Sequence, residues 1–104
     1  MTQEQLYALL KTTGFPVRYS QFKIPPALPY IVYVNSGGDN ISADDKVWDK
    51  VNYYRIELYT KNKDFASELI LETILDNAGI FYAFSNVGII ESEKINEVYY
   101  EIQI

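Results

Sequence analysis

From Lys46 to Thr60 apolar and polar side chains alternate along the chain. In an extended strand Tyr54, Ile56 and Leu58 fall on one face, and Tyr53, Arg55, Glu57 and Tyr59 on the other. Such a strand is half buried, with its second side wet or turned to a partner. Run straight, it would span roughly 50 Å at ~3.3 Å per residue, so a bulge or bend is expected near residues 49–52. Upstream, Tyr30-Ile31-Val32-Tyr33-Val34 is β-branched and aromatic throughout and predicts an earlier strand, entered from Pro29. Between the two lies Asn35-Ser36-Gly37-Gly38-Asp39-Asn40, a dense turn signal, followed by a polar stretch to Asp45. The pair therefore predicts a hairpin with a long projecting tip.

Helical periods flank this hairpin. Thr2 and Gln5 fit a capping box, and Leu6, Leu9 and Leu10 form one apolar stripe until Gly14 and Phe15-Pro16 end the helix. Residues 15–29 read as a connector. Val17, Tyr19 and Phe22 suit a brief extended piece, but Pro25, Pro26 and Pro29 exclude a central strand. A second helix opens on Asp64 as N-cap and closes at Gly79, with Ile80 placed to touch Leu75. Its apolar face is expected from Ala66, Leu69, Ile70, Thr73, Ile74 and Ala78, widened by Leu71 and Leu75. Glu68, Glu72 and Asp76 would then form an acidic stripe facing outward. Two strands close the chain, Phe81 to about Ile90 and a final one alternating through Val98, Tyr100, Ile102 and Ile104, joined at Glu91-Ser92-Glu93-Lys94.

The expected fold is α+β in a single domain, residues 1–104. Its order is α-β-β-α-β-β: an antiparallel sheet of about four strands with two helices packed on one face. With 48% apolar and 22% charged residues the chain is ordinary globular material. No apolar run approaches the ~20 residues of a membrane span. The Met1-Thr2-Gln3-Glu4 start carries no basic stretch before an apolar one, which predicts folding in a cytoplasm.

Charge and chemistry narrow the function. Fourteen Asp and Glu stand against nine scattered Lys and Arg, so the counterion-releasing basic cluster of a nucleic-acid binder is missing. There is no histidine and no cysteine, which removes the usual catalytic triads, thiolate metal sites and the commonest general base. Glu91 with Glu93, or Asp44, Asp45 and Asp49, are conceivable acid–base or cation-binding sets. Neither follows the spacing of a calcium loop, so they read as solvated loop carboxylates. Gly37-Gly38 lacks a following G-K-[ST] and is a turn pair, not a phosphate cradle. No enzyme and no cofactor are expected. What remains is surface: Trp48, either folded back on the domain or anchoring a neighbour, and the exposed strand face with Tyr53, Arg55, Tyr59 and Tyr99.

Several segments, taken in order, carry a resemblance: Leu28-Pro29-Tyr30-Ile31-Val32-Tyr33, then Asp39-Asn40 and Ala43-Asp44, then the long run from Tyr54 to Asp64. Gly79-Ile80-Phe81-Tyr82, Ile90-Glu91-Ser92-Glu93 and Val98-Tyr99-Tyr100-Glu101-Ile102 follow. Over nearly its whole length the chain resembles the minor structural proteins of siphophages and prophages of Gram-positive bacteria that complete tails or join tail to head. The resemblance implies a subunit of a ring, a hexamer, at the head-proximal end of the tail. It would be built in the host cytoplasm, reside at the virion's head–tail junction, and contact tail-tube and connector proteins. DNA would pass through without sequence-specific binding, along an acidic wall that repels it weakly. Asp39, Asn40, Trp48, Tyr53, Arg55, Tyr59 and Tyr99 become candidate subunit contacts. The alternatives are a connector adaptor, a tail-tube component, or a cytoplasmic phage protein that binds a host protein through the acidic helix stripe and the hairpin.

If Trp48 anchors a neighbour, Trp48→Ala weakens assembly while leaving the melting temperature of the isolated subunit nearly unchanged. A large fall in that temperature would place the indole in the core instead.

Overall fold

The computed structural model describes residues 1–43 and 46–104, and of residues 39–43 and 46–50 the backbone alone. The elements run α1 (Gln3–Lys11), β1 (Val17–Tyr19), β2 (Tyr30–Ala43), β3 (Lys46–Lys61), α2 (Phe65–Asn77), β4 (Tyr82–Ile90) and β5 (Ile95–Gln103). The α+β class holds. The sheet, however, has five strands in the order β1-β2-β3-β5-β4 and is mixed, since β1 pairs parallel to β2. The brief extended piece expected at Val17 and Tyr19 is this strand, Val17-Arg18-Tyr19, too short for its alternation to count it among the sheet's strands. Tyr33 O accepts from Ser20 N at 2.9 Å, and Pro16 O accepts from Ile31 N at 2.8 Å, fixing the two ends of this pairing.

The helix caps follow the sequence closely. Gln5 N donates to Thr2 Oγ1 at 3.1 Å while Thr2 N donates to Gln5 Oε1 at 2.8 Å, the reciprocal pair of a capping box. Asp64 accepts from Ser67 N at 3.1 Å and from Ser67 Oγ at 2.8 Å, which holds its carboxyl below the usual range. At the other end of α2, Ile80 N reaches Leu75 O and Gly79 N reaches Asp76 O, both at 3.0 Å, with Gly79 at φ +70°. That is a full Schellman ending, and it brings Ile80 into the core beside Leu75.

Both helices cover one face of the sheet. Leu6 and Leu10 from α1 and Leu71 and Leu75 from α2 pack on Ile31, Tyr33, Tyr54, Ile56, Leu58, Val98, Tyr100 and Ile102. The Tyr54 hydroxyl donates to Gln3 Oε1 at 3.0 Å and ties α1 to the central strand.

Two expectations need correction. Asn35-Ser36-Gly37-Gly38-Asp39-Asn40 is not a turn; it is the middle of β2, paired from Asn35 opposite Tyr54 to Asn40 opposite Lys50. The glycines serve a bulge. Register shifts between Asn35 and Gly37, leaving Ser36 unopposed, and Gly37 takes φ +141°. A side chain at Gly38 would place its Cβ 2.8 Å from Val51 O, so the strands approach here as only glycine permits. A second shift lies between Ile41 and Ser42, opposite Asp49 and Val47; the two bulges bracket the bend expected at 49–52. The second correction concerns α2. Glu68 is buried (4% exposed) and Glu72 half-buried, whereas Phe65, Leu69 and Ile70 are 73%, 64% and 43% exposed. Glu68 and Glu72 of the acidic stripe turn toward the sheet while Asp76 stays exposed, and of the expected apolar face Leu71 and Leu75 are buried whereas Leu69 and Ile70 turn away.

Beyond Asn35 and Asn52, among the described residues, β2 and β3 pair only with each other, so these strands leave the sheet as a two-stranded ribbon along a molecule 53 × 27 × 23 Å in extent. The placement of α2 yields a direct check. Leu71→Ala should cost about 2–5 kcal/mol in denaturant unfolding, as for a buried leucine, and Leu69→Ala within about 0.5 kcal/mol. The reverse ranking would restore the expected face.

Candidate interaction surfaces

The open face of the sheet gathers three of the predicted contact residues. Arg55 from β3 sits between two glutamates, its Nε 3.3 Å from Glu57 Oε2 and a terminal nitrogen 3.5 Å from Glu97 Oε2. Its guanidinium lies flat over the Tyr99 ring, 3.7 Å from the centroid. The Tyr59 hydroxyl donates to Glu57 Oε1 at 3.2 Å, so Arg55, Tyr59 and Tyr99 belong to one network across β3 and β5. Strand pairing places Glu57 opposite Tyr99 and Tyr59 opposite Glu97. Burial raises the Glu57 carboxyl above its ordinary range, helped by Glu97, against the opposing pull of Arg55 and the Tyr59 hydrogen bond. Burial and the same two carboxylates push the Tyr59 phenol well up. Tyr59 also stacks on Tyr30 at 5.0 Å, and Phe22 meets Tyr30 edge-on at 5.4 Å, closing one side of the cluster.

Beside Glu57 and Tyr59 lies a cleft of about 190 Å³ reaching Phe22, Pro25 and Tyr30, smaller than the ~300–1,000 Å³ usual for ligand pockets. A larger open cleft, about 530 Å³, runs between the ribbon base and the start of β4, lined by Ser36, Tyr53, Phe81, Tyr82 and Glu101. The side chains of Asp39, Asn40 and Trp48 lie outside the described residues, as do those of Asp44, Asp45 and Asp49. No group of three acidic side chains converges on a cation position among the described residues. No helix is long and apolar enough to cross a membrane among the described residues.

Sequence reasoning missed the second surface. Under α2 a polar seam runs along the sheet. The Tyr100 and Tyr82 hydroxyls donate to the two oxygens of Glu72 at 2.8 and 3.3 Å. Burial first, then Glu72, raises both phenols. One turn earlier, Lys63 Nζ lies 3.0 Å from Glu68 Oε1, to which it donates, and 2.9 Å from Oε2. The same ammonium lies 5.0 Å from the Phe65 ring centroid and 5.1 Å from that of Phe84 on β4. These pairs set the rotation of α2 and leave Phe65 and Leu69 exposed, with Phe65 joined to Phe84 of β4 through Lys63. The available signal was Lys63 five residues before Glu68, together with tyrosines on two later strands.

Searched against protein-family models and against curated proteins, the chain matches none.

The raised Glu57 carboxyl has a stability consequence. Between the ordinary and the raised values the folded chain binds more protons than the unfolded one, so stability falls as pH rises through that window. Glu57→Gln removes this fall. Denaturant midpoints measured from pH 4 upward should therefore show a flatter profile for the variant, and parallel profiles would refute the assignment.

Proposed function

We propose that the chain is a non-enzymatic structural subunit of a phage virion that forms a ring at the head-proximal end of the tail, ending the tail tube, joining it to the head, or both. The observation that carries this reading is the inverted helix. A subunit that buries Glu68 and Glu72 and turns Phe65, Leu69 and Ile70 outward has a surface suited to being covered by protein. The sequence resemblance supplies the setting, and the projecting ribbon and free sheet edge are natural contacts for a ring.

The described chemistry fits a structural part. On the open face Glu57 and Glu97 are engaged by Arg55 rather than aimed into a cleft of substrate size. A regulator docking through an acidic helix stripe loses support, because Glu68 and Glu72 face the sheet. An adaptor or tube component on the same fold differs from the proposed role only in its position in the particle.

Deletion of the gene in the parent phage, with electron microscopy of the induced lysate, tests the role. Separate DNA-filled heads and tails are expected for a joining subunit, and overlong tails for a terminator. Intact infectious virions would overturn the structural reading.

A further inference from the structure

Strand β4 lies at the end of the sheet, and among the described residues β5 is its one strand partner, so its outer side meets no other described strand. Its sequence, Tyr-Ala-Phe-Ser-Asn-Val-Gly-Ile-Ile, holds neither charge nor proline, the usual guards of an exposed edge. Phe84, opposite Tyr100, and Ile89, opposite Asn96, share the helix-covered face, yet they are 44% and 51% exposed. Phe65 on α2 is joined to Phe84 through Lys63, and Leu69, one turn further along the helix, is exposed as well.

At the far end of the molecule the ribbon has the converse need. From Gly37 to Ala43 on β2, and back along β3 from Lys46 to Val51, each strand pairs only with the other among the described residues, while at Asn52 β3 already bonds Ile104. Two-stranded ribbons are marginal in water and gain from a third strand. The lengths agree: the seven residues of Gly37–Ala43 span about 23 Å, and β4 offers about 30 Å of edge.

We propose that the β4 edge and the outer flank of α2 receive the β2–β3 ribbon of a second copy of this chain. One ribbon strand adds to β4 by backbone hydrogen bonds, and the apolar strip of Phe65, Phe84 and Ile89 lies beside the added strand. Donor and acceptor surfaces differ, so the contact is head-to-tail and repeats from copy to copy. Closure into a ring rests on the reading above; the pairwise contact does not.

Complementation between two broken subunits tests it with the purified full-length chain. One variant carries Phe65→Glu and Leu69→Lys, with Leu69→Lys alone as a milder form; the other has residues 37–51 replaced by a short Asn-Gly turn. Wild type should sediment as multiples of the 12.0 kDa chain. Each variant should remain a folded monomer, judged by circular dichroism and a cooperative melt. Mixed, the two should form a 1:1 complex, because one keeps its ribbon and the other keeps its receiving face. Wild type monomeric at millimolar concentration overturns the proposal, as does wild-type assembly by either variant. Folded variants that fail to pair when mixed overturn the ribbon as occupant and favour a face-to-face contact. None of these results depends on the deletion phenotype, so the two readings fail separately.

Discussion

Glu72 holds the fold's orientation. Its two carboxylate oxygens accept from Tyr82 on β4 and Tyr100 on β5, so a single side chain of α2 is pinned to two strands at once. Hydrogen bonds to a charged acceptor are worth roughly 1.5–3 kcal/mol each, more than a neutral pair. Glu68 works in the same sense: a buried carboxylate leaves its partner Lys63 only at a cost of several kcal/mol. With these two glutamates directed at the sheet, a helix that is apolar on almost every side must present leucine and phenylalanine to the exterior. The outward strip on α2 follows from the polar seam beneath it.

That seam explains what the sequence disclosed and what it withheld. Caps, breaks and strand alternation are local, and Thr2 with Gln5, Asp64 with Ser67 and Gly79 with Ile80 all sit where the sequence placed them. The rotation of α2 is not local. Phe65-Ala66-Ser67-Glu68-Leu69-Ile70-Leu71 supports two stripes at helical spacing, and hydropathy favours the one containing Leu69 and Ile70. Choosing the other requires knowing that Tyr82 and Tyr100 stand beneath the helix with hydroxyls to satisfy, which only the sheet order reveals. The glycine pair erred for a similar reason. Gly37-Gly38 signals a turn unless a second strand presses against it, and one does: a Cβ at Gly38 would fall 2.8 Å from Val51 O. Among the candidate contacts, Arg55, Tyr59 and Tyr99 were legible because alternation alone puts them on one face.

The two faces of the sheet have opposite characters. On the helix side, buried tyrosines donate to carboxylates that fix a helix. On the open side, Arg55 holds Glu57 and Glu97 apart and lies on Tyr99, a rigid arrangement whose charges are largely spent on one another. A planar guanidinium over a ring costs little ordering on contact and can still meet an incoming backbone or carboxylate. Arg55 is suited to fixing the angle of a neighbour more than to supplying its binding energy, because partly exposed ion pairs are worth about 1 kcal/mol or less.

An uncharged edge beside an apolar helix flank invites aggregation as readily as assembly, so something must restrict what pairs with it. Two restraints are built in. The bulge between Asn86 and Gly88, with Gly88 at φ +104°, breaks the regular register of β4, and a flat strand cannot follow it along its whole length. A net charge of −5 opposes close approach of copies unless contact area offsets the repulsion. A strand that is already twisted, as a bulged ribbon is, meets both conditions better than an unfolded segment does. The same register shifts that bend β2 and β3 out of the sheet therefore shape them to fit the edge at the other end of the chain.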